Sequence, residues 1–155
     1  MSTLVEALAQ RTCLVTGANS GIGWAASLQL AEAGHRVILG CRDASRGAEA
    51  GERIRAQVPA AEQSVLGIDL SLHASIRAPA EQVWKLDVLV QNAAWFDVRA
   101  RERTESAEGV ETAWATNHLG PALLTGLLMP RLLESADAQQ AARLPRHPRD
   151  ELDDR

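Results

Sequence analysis

Four short apolar runs, at about 12–16, 36–40, 64–68 and 86–90, recur along the chain, and helix-length stretches at about 21–33, 43–57 and 72–84 separate them. Short strands rich in Val, Ile and Leu have both faces covered, and an intervening helix is the usual connection between parallel neighbours. The repeat predicts an α/β fold, a Rossmann-like doubly wound parallel sheet with right-handed crossovers. With about four strands visible, the sheet reads as incomplete. Pro79 falls inside the third helix and should kink it or end it early. A polar loop at about 97–103 leads into a long helix from about 107 to 134, interrupted or bent at Pro121.

The junction between the first strand and first helix is Thr16-Gly17-Ala18-Asn19-Ser20-Gly21-Ile22-Gly23. Anions are held by backbone N–H groups at a helix N-terminus, where side chains must not obstruct their approach. On that reading Gly17 permits the tight turn, Gly21 lets a pyrophosphate approach, and Gly23 allows the helix to pack on the strand. The same glycines also suit a purely structural turn, so the surrounding βα repeat carries the nucleotide reading.

The second strand ends in Gly40-Cys41-Arg42-Asp43, at the distance where a ribose-reading residue is expected. Arg42 offers planar donors for a 2′-phosphate, which favours NADP(H) and leaves NAD(H) possible. The alternative for Arg42 is a solvated surface charge, and Asp43 is placed to cap the next helix. Asp69 either accepts from an adenine amino group or caps the helix after Ser71. Asn92 either ties neighbouring loops together or contacts ligand. Asn117 lowers helix propensity and points to a specific hydrogen bond, although a polar helix face accommodates such a residue too. His118 has no partner identifiable in sequence and receives no role, and Arg99, Arg101 and Arg103 read as a solvated charge run.

With these segments in order, the chain resembles the short-chain dehydrogenase/reductase family, in particular its retinol-dehydrogenase-like members, over roughly residues 10–135. The resemblance is carried by the glycine turn, by Leu66-Gly67-Ile68-Asp69-Leu70-Ser71, by Leu89-Val90-Gln91-Asn92-Ala93-Ala94 with Ala94 where the family has glycine, and by Glu108-Gly109-Val110-Glu111 followed by Trp114-Ala115-Thr116-Asn117-His118-Leu119-Gly120. It implies an oxidoreductase that transfers hydride between NADP(H) and an alcohol or carbonyl. Gly17, Ser20, Gly21, Ile22 and Gly23 would hold the pyrophosphate side, Arg42 the 2′-phosphate, Asp69 and Leu70 the adenine, and Asn92, Ala93 and Ala94 the adjoining ribose. Asn117 would be the one member of the catalytic tetrad present.

The family's acid/base pair, Tyr-x-x-x-Lys, has no counterpart: the 155 residues contain no Tyr, and the single lysine, Lys85, precedes the fourth strand. Composition changes after Ser135, where residues 136–155 have few apolar side chains, two prolines and many charges. We expect a partial NAD(P)-binding domain at 1–135 and a disordered or frame-shifted tail at 136–155. We expect an enzyme truncated before its Ser and Tyr-x-x-x-Lys, and the other reading is a non-catalytic module that binds a dinucleotide or a partner. The unpaired fourth strand, at 87–91, or the long helix offers a route to self-association.

Apolar residues make up 46% of the chain with a single Phe, so the core is built from Ala, Leu and Val. A net charge of −4 argues against nucleic acid as a partner. The most apolar stretch, Leu119 to Met129, is too short to span a membrane. Cys13 and Cys41 lack metal-ligand or C-x-x-C spacing and read as buried thiols of a cytoplasmic protein.

Overall fold

A computed structural model describes residues 10–96 and 102–143 of the chain. Four strands, β1 (Thr12–Thr16), β2 (Arg36–Cys41), β3 (Gln63–Gly67) and β4 (Val88–Val90), form one parallel sheet in the order β3-β2-β1-β4. Helices α1 (Gly21–Glu32), α2 (Ala44–Gln57) and α3 (His73–Glu81) connect them in turn. Beyond β4 come a single helical turn, α4 (Thr112–Trp114), a π-helical segment (Ala115–Leu119) and the long α5 (Gly120–Arg143).

The alternation of side chains along a strand divides the interior into two layers. Leu14 packs with Ile76, Leu124 and Leu128 on the α3/α5 side, whereas Val15 packs with Val37, Leu39 and Ile54 on the α1/α2 side. Every residue of β1 is buried, so the central strand must be apolar on both faces. Each fully buried Leu or Val contributes about 1.5–3 kcal/mol through removal from water.

Two helix boundaries differ from the expected ones. The third helix ends at Glu81, two residues past Pro79, consistent with an early stop. The helix expected from residue 107 begins at Thr112, because Gly109 adopts φ +73° in a turn closed by Ser106 N to Val110 O at 2.7 Å. The Glu111 carboxylate then caps the helix, accepting from Ala113 N at 2.9 Å and Trp114 N at 2.7 Å. Pro121 follows the widened segment, in which Gly120 N bonds back to Ala115 O; a residue without N–H there leaves the Asn117 carbonyl without its α-helical donor.

The expectation of disorder from residue 136 is corrected as far as Arg143, since α5 continues to that residue. Ala, Gln and Arg dominate 138–143 and are strong helix formers, so local propensity sustains a helix where burial was not foreseen. Residues 144–155 lie outside the described residues, as do Arg99 and Arg101. Arg103 pairs with Glu105 at 3.3 Å.

β4 stands at the sheet edge and its three side chains are half-buried, with Leu89 packed against the α3/α5 layer. The polar ends of the expected apolar edge are engaged. Asp87 accepts from Thr12 N at 2.7 Å and from Ser135 Oγ, while Gln91 Nε2 donates to Pro121 O at 3.1 Å. Among the described residues, no helix is long and apolar enough to cross a membrane.

Candidate functional site

An open cleft of about 660 Å³ lies across the C-terminal ends of the strands. In an open α/β sheet this is where ligands bind, because chain connections diverge there and helix N-termini converge. Gly17, Ser20, Gly21, Ile22, Gly23, Arg42, Asp69, Leu70, Asn92, Ala93 and Ala94 all line it. Asn117 does not, although its neighbour Thr116 does.

The glycines serve three distinct geometric needs. Gly17 and Gly21 have φ of +68° and +55°, in the left-handed region open to glycine. A Cβ on Gly21 would touch no protein atom within 4 Å, so the space beside it belongs to the cleft. Gly23 lies in the first turn of α1, and a Cβ there would lie 2.3 Å from the Gly17 carbonyl oxygen and 2.4 Å from Asn92 Nδ2, so its bare Cα lets the helix close on the segments that leave β1 and β4.

Ser20 precedes α1 without capping it through its side chain, and the first turn carries no acidic residue. Ile22 is 82% exposed. The opening amides of α1 are therefore not neutralised by the protein's own carboxylates, an arrangement suited to an anion.

Asn92 is a tether. Its Nδ2 donates to Thr16 O at 2.9 Å, and Thr16 Oγ1 accepts from the backbone amides of Asn92 and Ala93, each at 3.0 Å. Thr16 itself is 1% exposed and was not singled out in sequence; its position at the end of the first strand, next to the glycine turn, was the available signal.

At the opposite wall Asp43 caps α2, accepting from Ser45 N and Arg46 N at 2.9 and 3.2 Å. This leaves Arg42 facing the cleft, joined by Arg46 one helical turn later. Arg46 was not singled out in sequence; its place four residues after Arg42 was the available signal. Cys41 is buried behind them, and loss of solvation raises its thiol pKa despite hydrogen bonds from the Ala18 and Asn19 backbone.

Asp69 does not cap α3. Its Oδ1 accepts from Ser71 N at 2.9 Å and from Ser71 Oγ at 2.7 Å, closing a local turn, and the N-cap position falls to Leu72. The carboxylate that serves α3 comes from Glu108, which accepts from His73 N at 3.1 Å and approaches His73 Nδ1 at 2.5 Å. Those contacts hold the Glu108 carboxyl below its ordinary pKa, the His73 backbone amide contributing most. Glu108 was missed as a capping group because 35 residues separate the partners.

Asn117 forms a reciprocal pair with one backbone unit. Its Oδ1 accepts from Trp95 N at 2.7 Å and its Nδ2 donates to Trp95 O at 2.8 Å. The specific hydrogen bond expected of a mid-helix Asn is present. It lies within a π-helical turn, a distortion often found at functional sites. His118, given no partner in sequence, stacks on Trp114 with ring centroids 4.2 Å apart.

A family model described as short chain dehydrogenase matches residues 11–142. The chain belongs to that family. Mouse retinol dehydrogenase 12 is 41% identical over 133 residues, a match covering 83% of this chain and 41% of the relative. An NADP active-site complex of Pseudomonas aeruginosa RhlG superposes with a TM-score of 0.70 at 32% identity, covering 83% of this chain and 50% of that one. A metagenomic short-chain oxidoreductase in complex with NADP gives a TM-score of 0.70 at 29% identity, covering 81% and 57%. The short-chain dehydrogenase family binds nicotinamide dinucleotides, and this chain spans 41% of the length of its mouse relative.

Proposed function

We propose that the cleft holds NADP(H), and that these residues are the cofactor-holding portion of an oxidoreductase acting on an alcohol or carbonyl. The single observation that carries this reading is the Gly21 cradle. A left-handed glycine with no protein atom within 4 Å of its missing Cβ adjoins the uncapped amides of α1. The residues fit the group: Gly17, Ser20, Gly21, Ile22 and Gly23 would face the pyrophosphate, and Arg42 with Arg46 the 2′-phosphate. Asp69 and Leu70 would face the adenine, and Asn92, Ala93 and Ala94 the ribose.

A bound nicotinamide would supply or accept hydride. This chain's own residues bind and orient. The two arginines supply positive charge on one wall, which favours NADP(H) over NAD(H). Asn117 fixes the Trp95 backbone beside the cleft and so orders its rim. Acid/base catalysis requires a group within reach of the proton it moves. No tyrosine occurs in the sequence, and Lys85 precedes β4, at the end of the sheet opposite the cleft.

Titration calorimetry with NADPH and NADH separately tests the assignment. NADPH should bind more tightly, and tighter binding of NADH would overturn the reading of Arg42. The cleft lining, which binds and orients without an acid/base group of its own, also supports a second reading, a non-catalytic dinucleotide-binding module. Carbonyl-dependent oxidation of NADPH by the purified chain would defeat it. Buried thiols suit a cytoplasmic setting, and the β4 edge offers a self-association surface that sedimentation would test.

A further inference from the structure

We propose that Glu108 is a positioning residue for the adenine end of the cleft, acting through the first turn of α3. The proposal rests on the dinucleotide reading of that cleft. The segment Ile68-Asp69-Leu70 forms part of its wall, and α3 begins three residues after Leu70. Ser75, in the first turn of α3, accepts from Asp69 N through its Oγ at 2.9 Å. The wall's backbone is thus held by that turn.

The turn has no local cap, because Leu72 occupies the N-cap position and carries no hydrogen-bonding side chain. Glu108 provides the substitute, accepting from His73 N at 3.1 Å and from Ala74 N at 3.5 Å. Glu108 itself sits in the turn closed by Ser106 and Val110, three residues before the Glu111 cap of α4. A second contact joins the same parts: a Cβ on Gly120 would lie 2.1 Å from Leu70 O, so the start of α5 rests directly on the wall. Glu108 therefore couples the adenine wall to the segment that leads into Asn117.

The experiment is NADPH titration of the full chain and its E108A, E108Q and S75A variants, with amide hydrogen exchange across residues 68–75 and 21–24. In E108A the affinity should fall about fivefold, the scale of a lost helix cap, and exchange should rise at 68–75 but not at 21–24. Gln retains a carbonyl acceptor, so E108Q should restore affinity to within about twofold of the parent. S75A, which removes one hydrogen bond, tests the same link should E108A fail to fold; weaker binding supports the proposal. Unchanged affinity in folded E108A or in S75A overturns it, as does a loss in E108Q equal to that in E108A. Absence of NADPH binding by the parent chain instead overturns the dinucleotide reading, and the parent titration alone distinguishes that failure.

Discussion

Thr16 and Asn92 lock the first and fourth strand ends together through reciprocal hydrogen bonds: Asn92 Nδ2 donates to Thr16 O at 2.9 Å, and Asn92 N donates to Thr16 Oγ1 at 3.0 Å. Since Thr16 Oγ1 also accepts from Ala93 N, its removal strands two partly buried amides. Thr16→Val, which keeps the shape and removes the acceptor, should cost about 2 kcal/mol of stability in urea denaturation. Thr16→Ser keeps the hydroxyl and should remain within about 1 kcal/mol of the parent.

Two glycines of one turn should respond differently to the same substitution. Gly23→Ala drives a methyl into the Gly17 carbonyl and the Asn92 amide, so the melting temperature should fall by the equivalent of about 2–3 kcal/mol. Gly21→Ala meets no protein atom and bears only the left-handed backbone cost, about 1 kcal/mol. Its methyl would face the cleft, so folded Gly21→Ala should lose NADPH binding in calorimetry. Retained affinity would sink the cradle reading.

Arg42, just past β2, and Arg46, in the first turn of α2, are expected to separate the coenzymes. Arg42→Ala and Arg46→Ala should each weaken NADPH by about tenfold, the scale of a lost charge-assisted hydrogen bond, and leave NADH within about twofold. Equal losses for both coenzymes would mean that neither guanidinium reads the 2′-phosphate.

The sheet was legible because parallel strands buried on both faces leave continuous apolar runs, as in Cys13-Leu14-Val15 and Val37-Ile38-Leu39. The glycine turn was legible because only glycine tolerates its backbone. Long-range polar partners were not: nothing local to Glu108 indicates that His73 lies beside it, and nothing in Thr16 indicates two amides 76 and 77 residues further along the chain. The continuation of α5 past Ser135 escaped notice for a different reason. Low hydrophobicity argued for disorder, while the helix propensity of Ala and Gln favours the conformation observed.

Glu108 also makes stability pH-dependent. Its folded pKa lies below the ordinary 4.5, so its contribution is complete above that value and is lost as pH falls below 4.5 through the lowered folded value. Glu62 and Glu111 are depressed as well, by hydrogen bonds from Gln10 and from the Ala113 backbone respectively, so the parent alone cannot isolate one group. The difference between parent and E108Q can. Melting temperature against pH should be flatter for E108Q below 4.5, and parallel curves would show that the His73 amide does not stabilise the charged carboxylate.

Cys13 and Cys41 provide a test of the interior that is independent of any ligand. Both are buried, and burial raises both thiol pKa values, with Asp87 adding to the effect at Cys13. Alkylation needs the thiolate and access to it, and the fold denies both. Native protein treated with iodoacetamide at mildly alkaline pH should take up no label over a period in which denatured protein takes up two. Cys41 is the more informative thiol, because it lies beneath the Ala18–Asn19 backbone of the glycine turn. If the turn opens in solution, Cys41 should label before Cys13, and NADPH should suppress that labelling. Early labelling of Cys13 instead would place the weakness at the β1–β4 pairing, where Asp87 holds the Thr12 amide.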